Sequence, residues 1–519
     1  MLKHMNIKNL FKPVILLAIF FSFFLGKAYA EPSYGGHLRV GIPKFPTSLD
    51  AHLGRSGWDA YYWRQITDHL VDADRGLTPR AESSLAESWE FSENADALTL
   101  TLRKGVTFHD GTNFDAEAVK FNIDRILDAK TAATPRAAFT IITSVDVLSS
   151  HKVRFNLSRP WGSGLAMLAD RGGTMNSPAA ILKLGEDYGW NAVSTGPFKI
   201  KEVVSGSHIH FVRNENYWGK DKDGNRLPYL DEVTVKVVKD PSVLTASLRS
   251  GEIDLAYSPH KDAKAFKEDS NFNHFSMEAG KMQLIVIFNL AKAPVDNIYL
   301  RKAITHSIDP HFINKALYFG ENTVADSGMW PTGAWAHDPN VARPHYDPKK
   351  VKEFLKQGGK PNGFEFSVVS FGSMKPALEI IQAQLAQNGI KMNIDILSGA
   401  AINAAMYKEG KYAMAATSWS RYPEPDWIGS LMYKSDGYYN AGKLPNPELD
   451  ALLERGASLT DVEERKKVYK EVNSYVLDQS WVVPIIYQTF TAVAPKKVKG
   501  LETLTMHDGK MNFRLISMD

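Results

Sequence analysis

The stretch from Phe364 to Ala416 constrains the fold more than any other part of this 519-residue chain. Phe364 to Val369 reads as a strand, and Ile390 to Ile396 as another. Between them Ala377, Leu378, Ile381 and Leu385 recur at helical spacing, in a run that ends at Gly389. Strand, helix and strand in that order form a β-α-β unit, which a helix near 402–408 and a short apolar strand at 412–416 extend. The alternation predicts an α/β sheet, and ligands of open α/β sheets collect at the carboxyl ends of the strands. At that edge follows Trp419-Ser420-Arg421-Tyr422-Pro423-Glu424-Pro425-Asp426-Trp427, with two tryptophans, an arginine and two acids.

Residues 1–30 read as a cleaved signal peptide. Lys3, Lys8 and Lys12 give a basic start, Val14 to Leu25 is apolar but for Ser22, and Ala28-Tyr29-Ala30 is a small-residue cleavage site before Glu31. A membrane span needs about 20 apolar residues, and this run is shorter. Removing the segment takes four lysines from 61 basic residues and leaves 57 against 58 acids, a formal charge of −1. No basic footprint of the kind nucleic acid demands remains. The chain has no cysteine, which excludes disulfides, thiolate metal sites, a cysteine nucleophile and a lipid-modified cysteine at the cleavage point. The remaining 489 residues exceed what a single core sustains, so two or more domains are expected. An exported chain without an anchor needs an outer membrane to retain it, and the periplasm is the expected compartment.

Along the chain, His37 to Ile42 alternates as a half-buried strand, and the loop 43–50 after it carries Phe45 and Thr47 as candidate cleft residues. Leu98, Leu100 and Leu102 alternate with polar residues as a second strand. Asp115 is placed to cap a helix whose buried stripe is Val119, Ile123, Ile126 and Leu127. Phe198 and Ile200 are expected to form a hairpin with Ile209 and Phe211, and Thr460 with Glu463 spells a capping box. Strongly apolar strands are expected from Met282 to Asn289 and from Trp481 to Tyr487.

Two patterns resemble metal sites. Asp221, Asp223, Asn225 and Glu232 have calcium-loop spacing, but Arg226 stands where that loop needs glycine. His208 and His210 share one face of a strand, with no third ligand near them in sequence. A polar turn and a solvated strand face are the expected readings, with no metal and no cofactor.

Several ordered motifs carry a resemblance. Leu85-Ala86-Glu87-Ser88-Trp89-Glu90, Leu102 to Gly111 (Leu-Arg-Lys-Gly-Val-Thr-Phe-His-Asp-Gly) and Ala116-Glu117-Ala118-Val119 are followed by Ser194 to Lys199, Asn214 to Trp218, Leu227 to Asp231, Gly251 to Asp254 and Asn446 to Leu453. Together they resemble the bacterial extracellular solute-binding proteins of family 5, the peptide- and nickel-binding receptors of ABC importers, over essentially the whole mature chain. The resemblance implies a two-lobed periplasmic-binding-protein fold with a hinge and an extra subdomain in the first lobe, of the large cluster C type. It places lobe I at 31–65, 196–285 and 488–519, the extra subdomain at 66–195 and lobe II at 286–487. It also implies a monomer that delivers a small-molecule or peptide ligand to an inner-membrane permease.

The binding candidates in the loop are Arg421, Trp419, Tyr422 and Asp426. Aromatic rings bury much area for few torsions, and an arginine fork holds a carboxylate by two parallel hydrogen bonds. The competing reading makes the tryptophans core and pairs Arg421 with Glu424 or Asp426. In peptide-binding members of the family this loop carries, shortly after its tryptophan, an aspartate that receives the peptide ammonium group. Here arginine or a gap stands at that place, which points to an acidic group on the ligand, as in a modified peptide or opine-like solute. The opposite wall is expected from the loops after Ile42 and around Gly196. There is no G-x-S-x-G, H-E-x-x-H or P-loop motif in the sequence. A solute receptor without catalysis is the expected function; a metal-chelate or haem carrier of the same fold, or a secreted hydrolase, are the alternatives.

Overall fold

The computed structural model describes residues 33–419, 424–504 and 509–519, with 279–281 described by backbone alone. The expected signal peptide and the candidates Arg421 and Tyr422 lie outside the described residues. Among the described residues no helix is long and apolar enough to cross a membrane.

Two long strands organise the compact unit Tyr34–Asp519. The first, Phe272–Phe288, and the second, Val482–Pro495, run antiparallel from the pair Phe272 and Pro495 to the pair Ile287 and Val482. Toward one end the second strand pairs through Val493 and Ala492 with Ala256 and Tyr257. Toward the other, Met282 to Phe288 of the first strand pair with Met414–Trp419. The two crossing strands thereby join both halves of one eleven-stranded sheet. Its first half contains Leu255–Tyr257, His37–Ile42, Glu232–Val237, His208–Arg213 and Phe198–Val204, in that order. Its second half continues through Met414–Trp419, Glu365–Ser370 and Lys391–Ile396. Register shifts between Glu278 and Met282, and again between Met282 and Ile285, interrupt the ladder where the halves meet. Two chain crossings at such a place form a hinge.

Each half has its own core. Leu38, Val40 and Ile42 pack with Phe211, Val233 and Ala494 in one. Leu284, Val286 and Phe288 pack with Val368, Leu378 and Ile381 in the other. A third core, with Leu98, Leu100, Leu102, Val119 and Ile123, lies within a four-stranded antiparallel sheet covered by the helix Ala116–Leu127. Asp115 caps that helix by accepting the Ala118 N–H at 2.9 Å. The α/β alternation, the two lobes and the added subdomain all appear as expected, and the strands Glu365–Ser370 and Lys391–Ile396 are parallel.

Local boundaries differ in three places. The helix after Leu459 is capped by Asp461, accepting from Glu464 N–H, one residue beyond the expected Thr460 box. Both crossing strands run well past their apolar segments, because Asn273, His274 and Ser276 gain ladder partners in the facing strand and need no continuous hydrophobic pattern. The strand expected at 412–416 occupies Met414–Trp419, since pairing with Met282 keeps Trp419 in the sheet.

Candidate functional site

Trp419 ends its strand directly beside the hinge, opposite Met282 of the first crossing strand. Its ring meets Tyr439 edge-on at 5.1 Å and 85°. Tyr439 in turn contacts Tyr438 at 4.8 Å and Tyr407 at 5.1 Å, so the indole is held by an aromatic group on lobe II. Trp419 is half-buried, and its Nε1 is shielded from water with no acceptor among the described residues. A buried donor without a partner costs about 1–3 kcal/mol.

From Glu424 onward the chain engages the seam between lobe II and the subdomain. Asp426 Oδ2 accepts from Ser163 Oγ at 2.8 Å, and its Oδ1 accepts from Ser430 Oγ at 3.2 Å. Trp427 packs against the subdomain core. Two backbone bonds close the same seam: Gly162 N–H to Ala457 carbonyl at 2.8 Å and Trp335 N–H to Gly76 carbonyl at 3.1 Å. Glycine is required at both points. A Cβ on Gly162 would lie 2.2 Å from the Leu459 oxygen, and one on Gly76 would lie 2.6 Å from the Gly333 oxygen. Glu424 is buried against Arg465, so the first acid of the loop is a structural ion-pair member.

Between seam and hinge the crossing strands present further groups. Phe490 stacks on Tyr257 at 4.4 Å, and the Arg75 guanidinium lies 4.9 Å from the Phe275 ring centre. Glu278 Oε1 and Gln488 Oε1 are buried acceptors without a hydrogen-bond donor among the described residues. Burial raises the Glu278 carboxyl to about 7, against the opposing influence of Thr323 and the Thr332 backbone.

The candidates Phe45 and Thr47 lie on the loop after the strand His37–Ile42. Phe45 stacks on Trp190 at 5.8 Å and meets Tyr62 at a 58° tilt at 6.1 Å, and it lines a groove of about 710 Å³ with Asp110, Lys199 and Glu202. Every residue lining that groove falls between Phe45 and Ser205. Thr47 donates its hydroxyl to Asp59 at 2.8 Å and its N–H to the same carboxylate at 2.7 Å, which ties the loop to the following helix. Gly196 is buried under Ile66, with a carbonyl that takes His109 Nε2 and Asn214 Nδ2 at 3.0 Å each, and it forms no open wall. The seam residues Gly76, Gly162, Ser163 and Trp335 were not anticipated; the Gly162-Ser163-Gly164 run is the one local hint of a close backbone approach.

The calcium-like run is a polar turn. Asp221 accepts from the N–H groups of Asp223 and Asn225 and from the Tyr229 hydroxyl, and Glu232 belongs to a strand and bonds Lys201.

Comparison with known proteins identifies the family. A family model described as bacterial extracellular solute-binding proteins, family 5 Middle, matches residues 80–440. The glutathione-binding protein GsiB of Salmonella paratyphi A (strain ATCC 9150 / SARB42) is 28% identical over 467 residues, covering 88% of this chain and 89% of GsiB. Among solved structures, the ABC transporter substrate binding protein CtaP of Listeria monocytogenes superposes with a TM-score of 0.83 at 21% identity, over 94% of this chain and 100% of CtaP. The periplasmic binding protein DppA of Helicobacter pylori, in complex with the peptide STSA, gives 0.75 at 26% identity, over 94% and 98% of the two chains. The chain belongs to the bacterial extracellular solute-binding proteins of family 5.

Proposed function

We propose that this protein is the periplasmic substrate-binding protein of an ABC importer, and that it closes on a peptide or a small acidic, peptide-like or opine-like solute. The observation that carries the reading is Trp419 Nε1 beside the hinge, which has no acceptor among the described residues, within an aromatic group. A donor, flat rings and mobile walls suit a ligand with carboxylate or amide oxygens. GsiB, by its name, binds glutathione, and DppA has been solved with a peptide; both ligands are of this kind. Arg421 supplies the fork for an acidic group, and Tyr422 adds aromatic surface. Lobe II in this reading is 286–487, lobe I is 31–65, 196–285 and 488–519, and the subdomain is 66–195. The protein works as a monomer and performs no reaction of its own. Closure selects a solute only to the extent that the closed form binds it better than the open one.

Isothermal titration with glutathione, a tetrapeptide and an opine tests the reading. One of the three is expected to bind at about 1 μM, worth about −8 kcal/mol, and Arg421→Ala is expected to weaken it at least tenfold. Unchanged affinity in Arg421→Ala would remove the acidic-ligand assignment, and no binding by any of the three would remove the substrate class.

A further inference from the structure

The outer face of the lobe I sheet carries a group that the cleft does not use. His37–Ile42 and His208–Arg213 flank the strand Glu232–Val237, with His37 opposite Glu232 and His210 opposite Thr234. Residues i and i+2 share a face of a strand, so Glu232 and Thr234 stand side by side while the imidazoles of His37 and His210 lean over them from either edge. The two rings lie parallel, 5.1 Å apart with 5° between their planes. His37 Nδ1 is 3.5 Å and His210 Nε2 is 3.2 Å from the same carboxylate oxygen, Glu232 Oε2.

We propose that His37, His210 and Glu232 hold one divalent transition-metal ion of the zinc type, outside the solute cleft. Zinc is bound by imidazole nitrogen and carboxylate oxygen at about 2.0–2.2 Å in a tetrahedron, which sets neighbouring donor atoms about 3.4 Å apart. The two nitrogen-to-oxygen distances already match that spacing, and all three donor atoms lie within 4.8 Å of one another. The side chains are also oriented for the task. His37 Nε2 bonds Thr234 Oγ1 at 2.7 Å, which places the ring proton on Nε2 when it donates and leaves the Nδ1 lone pair facing the carboxylate. Lys201 holds the other carboxylate oxygen, Glu232 Oε1, at 3.0 Å and leaves Oε2 turned to the histidines. His210 Nε2 is shielded from water and has Glu232 Oε2 as its neighbour at 3.2 Å. Arg39, the nearest cation on the first strand, is occupied by Asp254 at 2.7 Å. His37 is exposed, so a water can complete the tetrahedron and the ion has a path in. His208, on the same strand face, turns to Glu202 at 3.6 Å and is outside the group.

The test uses tag-free mature protein, stripped with a chelator and titrated with Zn²⁺ by calorimetry and native mass spectrometry. One Zn²⁺ per chain is expected. His37→Ala and His210→Ala are each expected to weaken binding more than tenfold, while His208→Ala leaves it unchanged. Thr234→Val, which removes only the orienting hydroxyl, is expected to cost about tenfold, with Thr234→Ser restoring it. Because His37 is exposed, its alanine variant is expected to keep the wild-type circular dichroism spectrum. Absence of stoichiometric Zn²⁺, or undiminished binding in His37→Ala, overturns the proposal.

Discussion

Ser163 Oγ donates a 2.8 Å hydrogen bond to Asp426 Oδ2, across 263 residues of sequence. The bond ties the small four-stranded subdomain to the short helix that follows the Trp419 strand. Asp426 is therefore a contact between that subdomain and the helix Pro425–Ile428. Beside it, the Gly162 and Trp335 backbone bonds complete the seam.

Gly162→Ala is expected to keep the fold and hinder closure, because the added methyl meets the Leu459 carbonyl oxygen at 2.2 Å. Small-angle scattering at saturating solute should show a larger radius of gyration than wild type. Asp426→Ala, which removes one hydrogen bond worth about 0.5–1.5 kcal/mol, should shift the same measurement less.

Trp419→Phe separates the two contributions of the indole. It keeps a ring against Tyr439 but deletes the unpartnered Nε1–H. Solute affinity is expected to fall about tenfold if a ligand oxygen meets that donor, while Trp419→Ala loses the ring surface as well and falls further. Titration calorimetry of both variants reads the difference.

Arg465 and Glu424 form a buried pair with side-chain exposures of 3% and 1%. The guanidinium also donates to the Gly456 carbonyl at 3.1 Å and lies 4.8 Å from the Trp335 ring centre. Removing it leaves a buried carboxylate alone, at a cost of about 3–5 kcal/mol. Arg465→Ala is accordingly expected to lower the urea midpoint sharply, whereas the double change Arg465→Met with Glu424→Leu recovers much of the loss.

Glu278 makes stability pH-dependent in a defined sense. Burial raises its carboxyl from 4.5 to about 7. Between those values the unfolded chain has released the proton and the native chain keeps it, so stability falls as pH rises, at up to about 1.4 kcal/mol per pH unit. Below 4.5 and above 7 this contribution is flat. Glu278→Gln is expected to remove that slope in urea melts between pH 5 and pH 7. Asp68, raised by burial to about 6, has the same sign and stays in both proteins, so the difference between the two curves isolates Glu278.

Patterns with a short range were legible in the sequence. The alternation of Leu98, Leu100 and Leu102, the Asp115 cap and the β-α-β run from Phe364 to Ile396 depend on neighbours a few residues apart, and burial follows them. Ordered motifs across the chain carried the family and with it the two lobes. The tertiary structure decided which polar groups are spent and which remain. Thr47 is consumed by Asp59, Glu424 by Arg465 and Asp426 by Ser163, each partner lying beyond any local pattern. The metal-type group is the converse case: His210 has no third ligand near it in sequence, and strand pairing brings Glu232 and His37 to its side. Side-chain periodicity is a property of one strand, whereas the partners of a polar atom are set by which strands become neighbours, and that is decided only when the whole chain has packed.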